Sequence, residues 1–242
     1  MTGWRSEGWI ITSHLLAAEA IRTRSHGETP KMLPPALALF NLFFAASFEQ
    51  HLEGTRYAYG LTLFLFLEGA LFFVLSTTWY ITTTSVILER TRIFPATVWS
   101  RILFVGWSGL RSRAVVFLWA SAVLCLVILH HRTAAEAIAA PVLYTLFLLS
   151  IQGTIVAAFL IFSRLSQPMT LFAWFGGSIL AVVLIGALMF RHESLLDTVA
   201  PLFWTSAGTI AARDGDLPAV LRNATYLILF TAGMAGIARR FA

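Results

Sequence analysis

The hydrophobic pattern of the chain consists of long apolar segments separated by short links that carry most of its arginines. A bilayer core of about 30 Å requires roughly 20 helical residues, so only apolar segments of about that length can cross it. The pattern therefore predicts an all-α, polytopic membrane protein with six transmembrane helices. In chain order these lie at Leu33–Phe48, within Ala58–Leu88, at Ala114–His131, within Ala137–Ser163, within Leu165–Phe190 and at Asn223–Ala238.

Residues 1–31 form an N-terminal segment that is amphipathic rather than uniformly apolar. Trp4, Ile11, Leu15 and Ala18 fall on one face at helical spacing. This pattern predicts a helix lying in the membrane interface, and the alternative is a solvated tail. The expected organisation is thus an interfacial helix and linker at 1–31, followed by a six-span transmembrane domain at 32–242.

One more apolar segment, Leu195–Ala212, is interrupted by Asp197, Pro201 and Gly208 and is too broken to cross the bilayer. It lies between the fifth and sixth predicted spans. We expect an external helical hairpin there, dipping into the outer leaflet, or else a packed external cap. Backbone that is irregular at membrane depth requires protein or water to satisfy its polar groups.

Composition supports the membrane class and excludes a soluble globular domain. Hydrophobic residues make up 58% of the 242 residues and charged residues 12%, against about 25% charged in ordinary soluble domains. The single cysteine, Cys125, excludes an internal disulfide and a zinc site built on several cysteines. The chain holds no basic, aromatic-interleaved run of the kind that binds nucleic acid.

The distribution of basic residues predicts the orientation. With a cytoplasmic N-terminus and six spans, five of the 17 basic residues lie outside, at Arg56, Arg132, Arg191, Arg213 and Arg222, and the other twelve lie inside. The excess of Lys and Arg on the cytoplasmic side favours this topology over its inverse. We therefore expect a multi-pass protein of the cytoplasmic (inner) membrane with both termini in the cytoplasm.

Motifs of catalysis and metal binding are absent from the sequence. There is no phosphate-binding G-x-x-x-x-G-K-[ST] loop, no H-E-x-x-H and no G-x-S-x-G. The six histidines lie at the ends of the predicted spans or outside them, which favours interfacial residues over metal or haem ligands. We predict no catalytic residue, no metal site and no cofactor in this chain.

Glu68 is the one carboxylate well inside a predicted span. A charge at membrane depth is costly and usually functional, so Glu68 is a candidate for a translocation path. The alternative is a structural role, as an interhelical ion pair or a protonated acid. Thr78 and Thr82, in the threonine-rich inner half of the same span, are candidates for the polar wall of that path, although helix packing also explains them.

The link between the second and third spans combines charged residues with an apolar centre. Phe94, Pro95 and Trp99 are flanked by Glu89, Arg90, Arg92 and Arg101. A short helix parallel to the membrane, with an aromatic core and a charged rim, is typical of a docking surface for a cytoplasmic partner. The alternative is a positive-inside loop that only holds anionic lipid.

The layout resembles the transmembrane permease subunits of type-2, exporter-type ATP-binding-cassette (ABC) transporters. Those permeases have an interfacial N-terminal helix, six spans, a coupling helix between spans 2 and 3, and a helical hairpin before the last span. The matching positions are Glu89-Arg90 and Phe94-Pro95 in the link, Pro201–Trp204, Gly208 and Asp214–Asp216 before the last span, and Arg239-Arg240 at its end.

The resemblance implies half of a dimeric translocation unit, as a homodimer or heterodimer in the lipid bilayer. It implies docking of a separate cytoplasmic ABC ATPase on Glu89–Arg101, with ATP and Mg²⁺ bound by that partner and no enzymatic activity in this chain. Two alternatives stay open at this point. One is a non-transporting anchor or assembly subunit of a larger membrane complex, and the other is an intramembrane hydrolase.

Overall fold

The computed structural model describes residues 35–36, 38–39, 41–42, 55–93, 98–110, 113–128, 133–162, 177 and 200–241. The described part is helical and contains no strand, which confirms the all-α class for these residues. Its helices are α1 (Thr55–Ile93), α2 (Val98–Leu110), α3 (Arg113–Ile128), α4 (Ala134–Phe162), α5 (Ala200–Arg213) and α6 (Leu217–Phe241).

Three segments of these helices are long and apolar enough to cross a membrane: Gly60–Thr77, Ala134–Ile161 and Leu217–Phe241. They coincide with the second, fourth and sixth predicted spans and mark the chain as a membrane protein. The third predicted span corresponds to a shorter apolar helix, Ala114–Val127. The N-terminal interfacial helix and most of the first and fifth predicted spans lie outside the described residues.

Helix α1 is longer than a bilayer-spanning helix needs to be. Its 39 residues correspond to about 58 Å at 1.5 Å per residue, nearly twice the thickness of a bilayer core. The last described residue of α1 is Ile93. Of the segment 89–101, residues 89–93 belong to α1 and residues 98–101 to α2, and the coupling helix stays a prediction.

Helix α4 is the centre of the described bundle and contacts each of the other five helices. Its side chains Tyr144, Ile155 and Phe159 are completely buried. Thr133 caps its N-terminus, since the Thr133 Oγ1 accepts a 3.1 Å hydrogen bond from the backbone N–H of Glu136. Packing around α4 therefore sets where the other helices place their polar residues.

Helices α5 and α6 form a hairpin through Asp214, Gly215 and Asp216. Gly215 has a positive φ of 78°, a conformation that glycine adopts without steric cost. The N–H of Asp216 donates a 2.8 Å bond to Ala211 O, which closes α5. The Asp216 carboxylate then accepts a 3.1 Å bond from the N–H of Ala219 and caps α6.

Residues 200–212 of the segment expected to be broken at Pro201 and Gly208 lie in one continuous helix, α5, and residues 195–199 lie outside the described residues. Pro201 lies in its first turn, where the missing N–H has no helical partner to lose. Gly208 faces α4 at close range, because a Cβ at this position would lie 2.9 Å from Leu143 Cδ1. The α5 face that packs into the bundle consists of Leu202, Thr205, Ser206, Gly208, Thr209 and Ala212.

Candidate functional site

Glu68 lies inside the candidate span of α1 and is fully buried, with 0% of its surface exposed. The hydroxyl of Tyr144 on α4 donates a 2.9 Å hydrogen bond to Glu68 Oε2. The two helices approach closely at the next residue, Gly69, where a Cβ would lie 2.8 Å from the Phe147 ring. This close contact brings an acidic group and its hydrogen-bond donor together in the apolar interior.

Two further segments complete a polar cluster around Glu68. Asn41, from the first predicted span, is fully buried and lies close to the Glu68 carboxyl group. Asn41 Nδ2 also donates a 2.7 Å bond to Ser121 Oγ on α3, and Ser121 in turn donates to Leu118 O. Cys125, one turn further along α3, is buried near Glu68. We call Asn41, Glu68, Ser121, Cys125 and Tyr144 the polar cluster.

Two oxygen atoms of the polar cluster lack a donor among the described residues. Glu68 Oε1 and Asn41 Oδ1 are both buried and accept no hydrogen bond there. A buried acceptor without a donor destabilises a fold by about 1–3 kcal/mol. A proton on the Glu68 carboxyl group would remove the need for a donor at Oε1, whereas the Asn41 amide cannot take one up.

A second group of polar residues lies at one end of the bundle. The Tyr57 hydroxyl donates a 2.7 Å bond to Glu136 Oε1 at the start of α4. The Arg213 guanidinium, at the end of α5, lies 4.1 Å from the centre of the Tyr57 ring. Burial, followed by the neighbouring Glu136 carboxylate, raises the pKa of Tyr57 well above its usual range, so its hydroxyl remains a donor. This contact ties α1, α4 and α5 together.

Helix α2 is attached at the opposite end of the bundle. The buried side chain of Gln152 on α4 donates a 2.9 Å bond from Nε2 to Gly106 O of α2. Near the C-terminal end of α6, the Arg239 guanidinium lies 5.6 Å from the centre of the Trp99 ring. Along α6, Arg239 is 22 residues, or about 33 Å, from the hairpin end of the helix. Helix α2 is thus held against α4 and α6 far from Arg213.

The outward face of α2 is apolar. Trp99, Leu103 and Trp107 recur every four residues and so share one helical face, and they are 47%, 55% and 54% exposed. The opposite face, with Ile102 and Val105, is buried in the bundle. We call the exposed residues Trp99, Leu103 and Trp107 the α2 stripe.

The structure describes some of the predicted site residues with their side chains, some by their backbone only, and some not at all. Glu68 is buried between helices, and Trp99 is exposed on α2. Thr78, Thr82, Glu89, Arg90 and Arg92 lie on α1 and Arg101 on α2, but their side chains are not among those described. Phe94 and Pro95 lie outside the described residues. The roles predicted for these residues in the coupling link and the path therefore stay predictions.

Asn41 and Tyr144 were not predicted from the sequence as partners of Glu68. Asn41 is the single amide residue of its apolar segment, which is a local signal, whereas Tyr144 is one of several polar residues in its segment and has no such signal. Among the described residues, no three His, Cys, Asp or Glu side chains are grouped so as to hold a metal ion.

No protein-family model, curated protein or solved structure matches this chain. What the chain does is therefore inferred from its own residues and contacts.

Proposed function

We propose that the chain is the membrane-spanning permease subunit of an ATP-driven, ABC-type exporter and that α2 receives a separate cytoplasmic ATPase. The observation that carries this proposal is the α2 stripe: an apolar helical face that is exposed at one end of a membrane bundle and directly follows an over-long helix. Trp and Arg are enriched among the residues that dominate binding at protein interfaces, and Arg239 lies next to Trp99.

The contacts of α2 provide a route by which a force on it reaches the membrane interior. The Gln152–Gly106 bond joins α2 to α4. Helix α4 contacts all the other described helices and carries Tyr144, the donor to Glu68. In a two-state transporter, closure of the ATPase would move α2, and α4 would transmit that movement as a rearrangement of packed helices.

The division of chemistry follows from this role. ATP and Mg²⁺ would bind in the ATPase, and this chain would contribute half of a translocation path, completed by a second permease half. Glu68, Thr78 and Thr82 remain the proposed polar residues of that path. Glu89, Arg90, Arg92, Phe94, Pro95 and Arg101 would flank the docking surface centred on the α2 stripe.

The test of this role is purification of the tagged chain from its native membrane in a mild detergent. We expect a subunit with a phosphate-binding G-x-x-x-x-G-K-[ST] loop to copurify in a fixed ratio, together with ATP hydrolysis. An intact complex that contains other membrane subunits but no ATPase would contradict the proposal and would favour an anchor or assembly role.

A further inference from the structure

The unusual feature of the polar cluster is the unequal environment of the two Glu68 oxygens. Oε2 accepts the 2.9 Å bond from Tyr144. Oε1 is buried and accepts no hydrogen bond from a described residue. A carboxylate can only accept hydrogen bonds, and leaving one of its oxygens without a donor in an apolar interior is costly. A proton bound to Oε1 would remove this cost.

No described cationic group compensates a negative charge at Glu68. Helix α4 contributes the Tyr144 hydroxyl, and α3 contributes the Cys125 thiol. The charged groups Arg213 and Glu136 face Tyr57 instead. Tyr57 is 11 residues from Glu68 along α1, a distance of about 16 Å. The described groups near Glu68 are thus the Tyr144 hydroxyl, the Asn41 amide and the Cys125 thiol, and none of them carries a positive charge.

We propose that Glu68 is a proton-binding site of the membrane bundle, with an exchangeable proton on Oε1 and the neighbouring Asn41 amide as the group that accepts a hydrogen bond from it. Binding neutralises the carboxyl group without a cation. The bound proton also makes Oε1 a hydrogen-bond donor, so this atom no longer requires a donor from another residue.

The Asn41 amide is suited to both protonation states of Glu68. A half-turn about its Cβ–Cγ bond exchanges the positions of its oxygen and its amino group. With its oxygen towards Glu68 the amide accepts a hydrogen bond from the protonated carboxyl group, and with its amino group there it donates to the carboxylate. Ser121 Oγ accepts from the amino group of this amide in the structure. In the other orientation Ser121 would donate to the amide oxygen in place of Leu118 O.

Proton release would place a charge where the Asn41 segment, α1 and α4 meet. The proton therefore controls how tightly these three elements pack, independently of any ATPase. If the exporter proposal fails, this site stands, because it depends only on contacts within the chain.

The direct test is infrared spectroscopy of the purified protein in lipid nanodiscs at neutral pH. A protonated carboxyl group has a carbonyl stretch separate from that of a carboxylate. We expect this acid band in the wild type and its loss in Glu68→Gln, while Glu136→Gln, at a second buried glutamate of the described residues, leaves it in place. If the carbonyl stretch of the protonated acid is unchanged in Glu68→Gln, the proposal is wrong.

A second measurement uses stability and does not depend on assigning a band. If folded Glu68 holds a proton that the unfolded chain releases above the ordinary glutamate pKa of about 4.3, the melting temperature falls as pH rises. Gln at 68 mimics the neutral acid, so Glu68→Gln should lose this part of the pH dependence and melt higher than the wild type at alkaline pH. If the melting temperatures of the wild type and Glu68→Gln change with pH in the same way, Glu68 is not the proton site.

Discussion

The hydroxyl of Tyr144 donates a 2.9 Å hydrogen bond to the Oε2 atom of Glu68, and both side chains are completely buried. These residues are 76 positions apart in the chain. The bond therefore depends on the packing of α1 against α4 and reports directly on that packing.

Replacing Tyr144 by Phe should destabilise the protein by about 1–3 kcal/mol, because it leaves the buried Glu68 carboxyl group without this donor. Thermal unfolding in detergent measures the effect. Tyr226→Phe is the matched control, since Tyr226 is 41% exposed on α6, and it should change stability by less than about 0.5 kcal/mol. Equal stability of the Tyr144 and Tyr226 variants would show that the bond is unimportant.

Replacing Gly208 by Ala should destabilise the contact between α4 and α5. The new methyl group would lie 2.9 Å from Leu143 Cδ1 and 3.2 Å from Asn223 Cβ, and overpacking of this kind costs about 1–3 kcal/mol. Gly233→Ala on α6 is the control, because no described neighbour lies within 4 Å of the position that its new methyl group would take. That variant should be neutral or slightly more stable, since Ala favours helix over Gly. Thermal unfolding compares the two, and the reverse order would refute the packing.

Replacing Gln152 by Leu should loosen α2 from the bundle, because the Nε2 donor to Gly106 O is lost. The measurement is hydrogen exchange of the α2 backbone amides, resolved by mass spectrometry of peptides covering 98–110. We expect faster exchange in α2 and unchanged exchange in α5, which does not share this bond. Exchange in α2 that stays at the wild-type rate would mean that the bond does not hold this helix in place.

The predicted orientation can be tested with single cysteines in a Cys125→Ala background. Asp214 lies in the exposed hairpin between α5 and α6, and Arg240 is exposed at the opposite end of α6. Cys at 214 should react with a membrane-impermeant thiol reagent in intact cells, whereas Cys at 240 should react only after permeabilisation. The inverse labelling pattern would reverse the topology derived from the basic residues.

The helical class and the position of three candidate spans could be predicted from the sequence because long apolar segments are a strong, local signal. Glu68 could also be identified as unusual, since a carboxylate within an apolar segment stands out without knowledge of its neighbours. Its Tyr144 partner could not be predicted, because that pairing depends on the rotation and depth of two helices. Small residues such as Gly69, which determine that approach, are common in membrane helices and give a weak signal alone.

The helix boundaries around the link between the second and third predicted spans were less predictable for a related reason. Charged residues at 89–92 indicate the end of a span, but Glu and Arg are good helix formers and do not by themselves end a helix. Helix α1 accordingly runs to Ile93. In α5, Pro201 indicates a break when it is considered alone, although a proline in the first turn is compatible with the helix.

Whether α2 receives an ATPase is tested most sharply by comparing two exposed leucines. Leu103 is 55% exposed on the α2 stripe, and Leu124 is 50% exposed on α3. Each is changed to Ala, the tagged proteins are purified at equal expression, and the ratio of copurified ATPase to permease is measured. We expect Leu103→Ala to lower this ratio and Leu124→Ala to leave it at the wild-type value. An undiminished ratio in Leu103→Ala, and likewise in Trp99→Ala and Trp107→Ala, would contradict docking on α2.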